Sequence, residues 1–535
     1  MKKILATFDE KKIDAIFADI DRCNLPGAAV GIAIDGKPVY RKGFGLANME
    51  IPILLSPSIR MRIYSTTKHF TCLAYMLLCE EGKAEIDDPI GKYLPELHLV
   101  TRQVTLRHLM GNTGGLRDSN DIIWQFNGTG WNVTADDQVS VYRNTDDVNF
   151  AQGTHWCYCN GGFVLLTAAI ERIAGESLEN VLRKRIFEPT GMADTLLRRF
   201  DTDFVPNSAS MHMVKQTGGY ERSYLGPMSG EGGIVSTVND MLRWLAHMDA
   251  PVVGSAKTWE VMKAPQVLTN GASTDYGLGL FSGRYRGVAT LHHGGGGMGA
   301  NSLMLKVPSA GLDVVIMVNR HEVNGSALVD RILDACLPAL EPMEVPTSPY
   351  PPIMGTFLSP ASGRVIQLRT ASSDSPWYKA GQQIAVIDGA DIPIQTDRRG
   401  GLLPARPFDK MMKVAMVPNG DPQAPATLRL TDYGNGDELI RQAPPQDIDV
   451  SSIVGLYRSD STDSEAIVSQ TDAGPYLYAS GSFGSVQYTL ECLAEGIWRA
   501  QSTGPHPFGG ILLFDKDATT FRFSTRSNRL LLFRQ

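Results

Sequence analysis

The chain has 535 residues, of which 43% are hydrophobic and 20% charged, and its formal net charge is −7. That length exceeds a single hydrophobic core and predicts several domains, while the balance is that of an ordinary globular protein. Both signs of charge are scattered along the chain, which excludes a nucleic-acid binder that offsets phosphates with a basic face.

Met1 to Phe8 begins as a signal peptide would, but Asp9, Glu10, Lys11 and Lys12 end the apolar run too early for an h-region. No stretch approaches the about 20 apolar residues of a membrane span. A cytoplasmic protein with no membrane association is the expectation. Two β-rich runs over residues 28–45 flank Asp35-Gly36, a hairpin turn signal. From Ser65 to about Gly82 the pattern turns helical, with Phe70, Leu73, Met76 and Leu77 at three- and four-residue spacing. A second helix is predicted from Gly162 to Ile173, stopped by Gly175, and a third over 238–248, with Asn239 or Asp240 near its start. Strand character returns over 300–318. Strands, then helices, then strands predict an α+β domain in which both ends of this portion join one sheet.

Prolines crowd residues 338–352 and predict an extended linker. Beyond it, short apolar runs alternate with Gly, Asp, Ser and Pro, as in small antiparallel sheets or barrels. A second seam lies near Gln442–Asp449. A similar phrase follows each seam: Ile353-Met354-Gly355-Thr356-Phe357, then Ile453-Val454-Gly455-Leu456-Tyr457. Two weakly repeated β modules account for this. The seven cysteines are odd in number and scattered, which is no disulfide framework, and Cys157–Cys159 lacks a second ligand pair at zinc spacing.

Three short segments carry chemistry. In Tyr64-Ser65-Thr66-Thr67-Lys68, Ser65 and Lys68 lie three apart on one helical face. A serine hydroxyl becomes nucleophilic when a base takes its proton, and a buried lysine that loses its charge is such a base. Alone, the pattern equally fits an N-cap serine with a surface lysine. Tyr158-Cys159-Asn160 offers a phenol to relay a proton and an amide to hold substrate or lysine; a core aromatic followed by an N-cap asparagine has the same spelling. In His292-His293-Gly294-Gly295-Gly296-Gly297, glycines leave strand N–H groups accessible and able to form half of an oxyanion hole. A phosphate loop is disfavoured there, because strand follows and no Gly-Lys-Ser/Thr is present.

In the order Ser-x-x-Lys, Tyr-x-Asn, His-x-Gly the chain resembles the serine β-lactamase and penicillin-binding-protein superfamily. Arg107-His108-Leu109-Met110-Gly111-Asn112-Thr113-Gly114-Gly115-Leu116 and Gly232-Gly233-Ile234-Val235-Ser236-Thr237-Val238-Asn239-Asp240 are similar to two further family phrases, and the likeness spans roughly residues 20–335. Within the superfamily the chain is most similar to D-stereospecific aminopeptidases, through His293-Gly294-Gly295 and Cys157-Tyr158-Cys159-Asn160-Gly161.

The resemblance implies a β-lactamase/transpeptidase-like domain over 1–337, an antiparallel sheet flanked by helices, then the 338–352 linker and two small antiparallel β-barrels over 353–445 and 450–535. It implies Ser65, Lys68 and Tyr158 as catalytic residues, and Asn160, His293, Gly295 and Gly296 as substrate-binding and oxyanion residues. It implies no metal and no organic cofactor. The implied partner is a small peptide or amino-acid amide, cleaved through an acyl-enzyme with release of N-terminal D-residues. Esterase and D,D-peptidase or β-lactamase-like activity are the alternatives, and a non-catalytic sensor is a third. The barrels allow a homodimer, a cover for the site, or both. Where penicillin-recognising relatives carry Lys-Thr-Gly, histidine is mostly neutral at pH 7, which favours substrates lacking a carboxylate next to the scissile bond. In that aminopeptidase group a barrel loop enters the site to select an α-amine. The segment Ser502–Gly510 is the expected equivalent, and it contains no carboxylate to pair an ammonium.

Overall fold

The structure, a computed structural model, describes residues 4–535 apart from 129–132, 216, 225, 341–350, 376–377, 388, 398–399, 406–413, 422–423, 447, 504–508 and 528. Most of the Pro-rich linker therefore lies outside the described residues.

The first part of the chain folds around a six-stranded antiparallel sheet. Its strands are β1 (Ala28–Ile34), β2 (Lys37–Phe44), β3 (Phe281–Tyr285), β4 (Val288–Gly297), β5 (Ala300–Val307) and β6 (Leu312–Val318), in the spatial order β3-β4-β5-β6-β1-β2. Asp35 and Gly36 both take positive φ, 49° and 73°, and close the β1–β2 hairpin. β1 pairs with β6 from Ala28↔Val318 to Ile34↔Leu312, so the two ends of the domain meet in one sheet.

Period-two alternation builds a core on each face. In β6, Val315 and Met317 face a large helical layer, while Val314, Ile316 and Val318 face helices α1 (Glu10–Phe17) and α6 (Gly325–Cys336). The large layer contains α2 (Lys68–Glu80), α3 (Ser119–Asn127), α4 (Asn160–Ala174) and α5 (Val238–His247). α4 ends at Gly175 with φ 70°, as its left-handed cap requires. The cap of α5 is Thr237, whose side chain accepts from Asp240 N, so Asn239 and Asp240 stand in the first turn. α5 lies so close to β1 that a Cβ on Gly31 would come within 2.5 Å of Val238.

Two closed eight-stranded barrels follow, one from Gly355–Leu358 to Asn435–Arg441 and one from Gly455–Ser459 to Arg529–Arg534. The repeated phrase occupies equivalent places in both. Ile353 and Phe357 enter the first core, Ile453 and Tyr457 the second. The last strand of each barrel sends an arginine over that aromatic ring, Arg441 over Phe357 at 4.7 Å and Arg534 over Tyr457 at 6.0 Å.

The barrels are docked, not tethered. Ile122 and Phe126 of α3 are buried within the core of the second barrel, where Tyr488 Oη donates to Gln125 O at 2.9 Å. Such side chains contribute about 1.5–3 kcal/mol each when fully buried. The first barrel meets the catalytic part at Tyr433, which stacks on Trp156 at 4.0 Å.

Candidate active site

The site is built at the junction of α2, α4 and β4. Upstream of α2, Arg62 is buried in an ion pair with Asp201 at 2.7 Å and donates to Gly233 O, which ties the approaching chain to residues 232–240. Tyr64, fully buried, then takes φ 47°, a left-handed conformation rare for a bulky residue. Strain of that kind persists only where packing over-determines it. Gly295 of β4 supplies such packing: a Cβ there would lie 2.1 Å from Ile63 O and 2.8 Å from Ser65 N. The chain thereby turns through the 3₁₀ segment Tyr64–Thr67 into α2 and leaves Ser65 partly exposed above Lys68, which is wholly buried.

Lys68 Nζ stands 2.8 Å from Asn160 Oδ1, 2.7 Å from Glu231 O and 3.2 Å from Ser65 Oγ. A neutral amine has two N–H donors and one lone pair. The two carbonyl oxygens use the donors and leave the lone pair for the serine proton. Burial drives the Lys68 pKa down to about 7, against the opposing pull of Glu231 and Asp118, and Arg526 lowers it further. Nζ also sits 4.7 Å from the centre of the Tyr158 ring. Burial holds the Tyr158 pKa well above the usual phenol value, against the opposing influence of the nearby Ser65 side chain. At neutral pH Tyr158 is therefore protonated, and Lys68 is in part the neutral amine.

Segment 157–160 is braced from several sides. Asn112, in a left-handed conformation with φ 57°, accepts from Cys157 N through its carbonyl and from Cys159 N through its side chain. The helix cap is Cys159, whose Sγ accepts from Gly162 N, so Asn160 is left free to hold Lys68. Asp118 accepts from Asn160 N at 2.7 Å and Gly161 N at 3.2 Å, and it also caps α3. Burial, with Asp121 nearby, pushes its carboxyl up to about 6.

His293 is buried in β4 with both ring nitrogens engaged. Nδ1 donates to Gly294 O at 2.7 Å, and Nε2, 3.2 Å away, accepts from Tyr276 Oη. Burial and the proximity of Lys68 hold its pKa well below the usual imidazole value, so it is neutral. It lines the site as a fixed wall bound to Tyr276. β3 pairs with β4 only as far as His292, so from His293 to Gly297 the strand has a neighbour on the β5 side alone. Gly296 lies exposed on this stretch.

The structure thus gathers Ser65, Lys68, Tyr158, Asn160, His293 and Gly295 at one place. Sequence reasoning missed the Glu231 carbonyl, Asp118 and Tyr276, and expected the second barrel to approach through Ser502–Gly510 rather than through Thr525–Ser527. Of the expected loop Ser502–Gly510, residues 504–508 lie outside the described residues. Among the described residues the second barrel reaches the site through Thr525–Ser527. Ser527 Oγ donates to Tyr158 O at 2.8 Å, its N–H donates to Asp121 at 3.2 Å, and the Arg526 guanidinium lies 5.7 Å from the Tyr158 ring centre. This tip brings a cation, not the carboxylate an α-amine would pair with.

Comparison with known proteins gives a consistent picture. The family profile described as Beta-lactamase matches residues 13–338. The chain is 26% identical over 516 residues to the D-aminopeptidase of Brucella canis, covering 92% of each. Among solved structures it is similar to D-amino acid amidase from Ochrobactrum anthropi SV3 complexed with L-phenylalanine amide, at 25% identity and TM-score 0.52, covering 61% of this chain and 97% of that one. The octameric penicillin-binding protein homologue from Pyrococcus abyssi shares the fold over 98% of this chain and 100% of that one, at 19% identity and TM-score 0.55.

Proposed function

The chain belongs to the Beta-lactamase family, and from that premise we propose that it is a D-stereospecific aminopeptidase or D-amino-acid amidase. At the coarser level it is a serine hydrolase of the β-lactamase fold related to D-aminopeptidases and D-amino acid amidases. The observation that carries the serine-hydrolase chemistry is the enclosure of Lys68 Nζ by two carbonyl acceptors with Ser65 Oγ in the third position. It is joined by likeness to D-aminopeptidases over nearly the whole chain, barrels included.

The proposed reaction is acyl transfer in two steps. Lys68 takes the Ser65 proton as Oγ attacks the amide carbonyl. The oxyanion is held by N–H groups of Ser65 and Gly296, one such donor lowering the barrier by about 2.7–4 kcal/mol. Tyr158 gives its proton to the leaving amine and regains one from Lys68. Water then attacks the acyl-Ser65 ester, its proton passing to Lys68, and Ser65 leaves reprotonated. Asn160 keeps the amine oriented, and His293 with Tyr276 forms the wall facing it. A neutral wall suits amides and N-terminal peptide bonds rather than substrates with a carboxylate beside the scissile bond.

The test is a side-by-side assay of D-alanine p-nitroanilide, its L-isomer, a short p-nitrophenyl ester and a chromogenic cephalosporin. Preference for the D-anilide over the L-isomer is expected. Hydrolysis of the ester alone would remove the aminopeptidase reading.

A further inference from the structure

Beside Tyr158 lies a cavity of about 380 Å³ to which all three domains contribute. The catalytic domain supplies Trp156, Cys157 and Tyr158, and the barrels supply Arg364, Arg522, Arg526 and Arg529. The surrounding carboxylates are committed elsewhere. Asp432 and Asp437 both answer Arg364, at 3.0 and 3.6 Å. Asp121 faces Arg526 at 3.5 Å, and Asp147 is taken by Arg117. The Arg522 side chain makes no hydrogen bond or ion pair with any described residue; burial, Arg117 and Arg529 lower its pKa, against the pull of Asp147. His155 in the cavity wall has its pKa lowered by burial, with Asp437 pulling it up and Arg529 and Arg364 pushing it down.

Asp432 and Asp437, themselves on the cavity wall, neutralise Arg364 and leave Arg522 as a guanidinium without an ion-pair partner among the described residues. A guanidinium fork matches a carboxylate with two parallel hydrogen bonds. The volume suits a small ligand. We propose that this inter-domain cavity is a binding site for a small organic carboxylate, with Arg522 as its principal contact. The carboxylate has two sources. One is the C-terminal carboxylate of the leaving portion of a longer peptide substrate, at least one residue removed from the scissile bond, whose amine Tyr158 protonates, and this source rests on the function proposed above. The other is a free acid binding beside the reaction centre.

The test separates these sources from each other and from the catalytic reading. Calorimetric titration of succinate into the full-length Ser65→Ala protein needs no turnover. One site per chain is expected, with succinamide not binding. Arg522→Gln in that background is expected to weaken succinate at least about tenfold, and Arg522→Lys to keep part of the affinity. If Arg522→Gln does not fold, Arg529→Gln is read in its place. In enzyme with Ser65 intact, the ratio of kcat/KM for a D-alanyl tripeptide with a free C-terminus to that for its C-terminal amide is then compared before and after Arg522→Gln. A fall of about tenfold in the ratio assigns the carboxylate to the substrate. An unchanged ratio with succinate binding lost assigns it to a free acid. Absence of succinate binding, or binding indifferent to the arginine substitution, would overturn the proposal.

Discussion

The two barrels are built alike and meet the catalytic domain differently. The first presents a hairpin tip whose Tyr433 stacks on Trp156, while Asn435 exchanges two neutral hydrogen bonds with the Trp156 backbone, at 3.0 and 2.9 Å. The second presents Thr525–Ser527, which places a cation beside Tyr158, answers Asp121 and binds the Tyr158 carbonyl. Both grip the same few residues, 156–158. One grip is apolar and neutral, so it fixes position. The other is charged and lies within the electrostatic reach of Lys68, so it adds to the lowering of the Lys68 pKa that burial begins. Equal folds thus carry unequal roles, decided by the residues at two hairpin tips.

Substitutions at the two tips sharpen the contrast. The largest effect belongs to Arg526→Ala, which leaves Asp121 buried without its cation and costs about 3–5 kcal/mol of stability, read from the unfolding transition of the full chain. It also removes a charge that lowers the Lys68 pKa, so the acid limb of the kcat/KM profile moves to higher pH. An unmoved limb would place Arg526 outside the proton network. Next comes Tyr433→Ala, which empties a buried aromatic stack and costs about 3 kcal/mol. Turnover per folded molecule and the pH profile stay as in the parent, and a shifted limb here would erase the distinction between the barrels. The smallest effect is that of Ser527→Ala. It loses one hydrogen bond to Tyr158 O, worth about 1 kcal/mol, and is expected to lower kcat roughly fivefold with KM unchanged.

How much of this was legible in the sequence follows from how local each feature is. Ser65 with Lys68, Tyr158 with Asn160, and the glycines after His293 are short-range patterns, and periodicity places them on a helix start, a helix entrance and a strand. The sheet closing β1 on β6 was legible from strands at both ends of one portion, and the repeated Ile-x-Gly phrase marked the entrance to each barrel. The Glu231 carbonyl was not legible, because a backbone acceptor has no residue signature. Nor was the cap at Cys159, since asparagine is the commoner cap and only the commitment of Asn160 to Lys68 explains its absence from that role. Arg526 and Ser527 act across hundreds of residues of sequence and are visible only once the second barrel has closed over α3, while Asp118 meets Asn160 and Gly161 through packing within the first domain. The left-handed Tyr64 is likewise a product of tertiary packing against Gly295.

The central claim is that a neutral Lys68 amine activates Ser65. A phosphonate probe with a fluoride leaving group needs no general acid, so its rate of labelling Ser65 reports the base alone. Lys68 is charged below its lowered pKa and neutral above it, so the account predicts labelling that rises with pH through about 7 and is lost in Lys68→Met. A rate that stays flat between about pH 5 and 9, or a Lys68→Met protein labelled as fast as the parent, would contradict it.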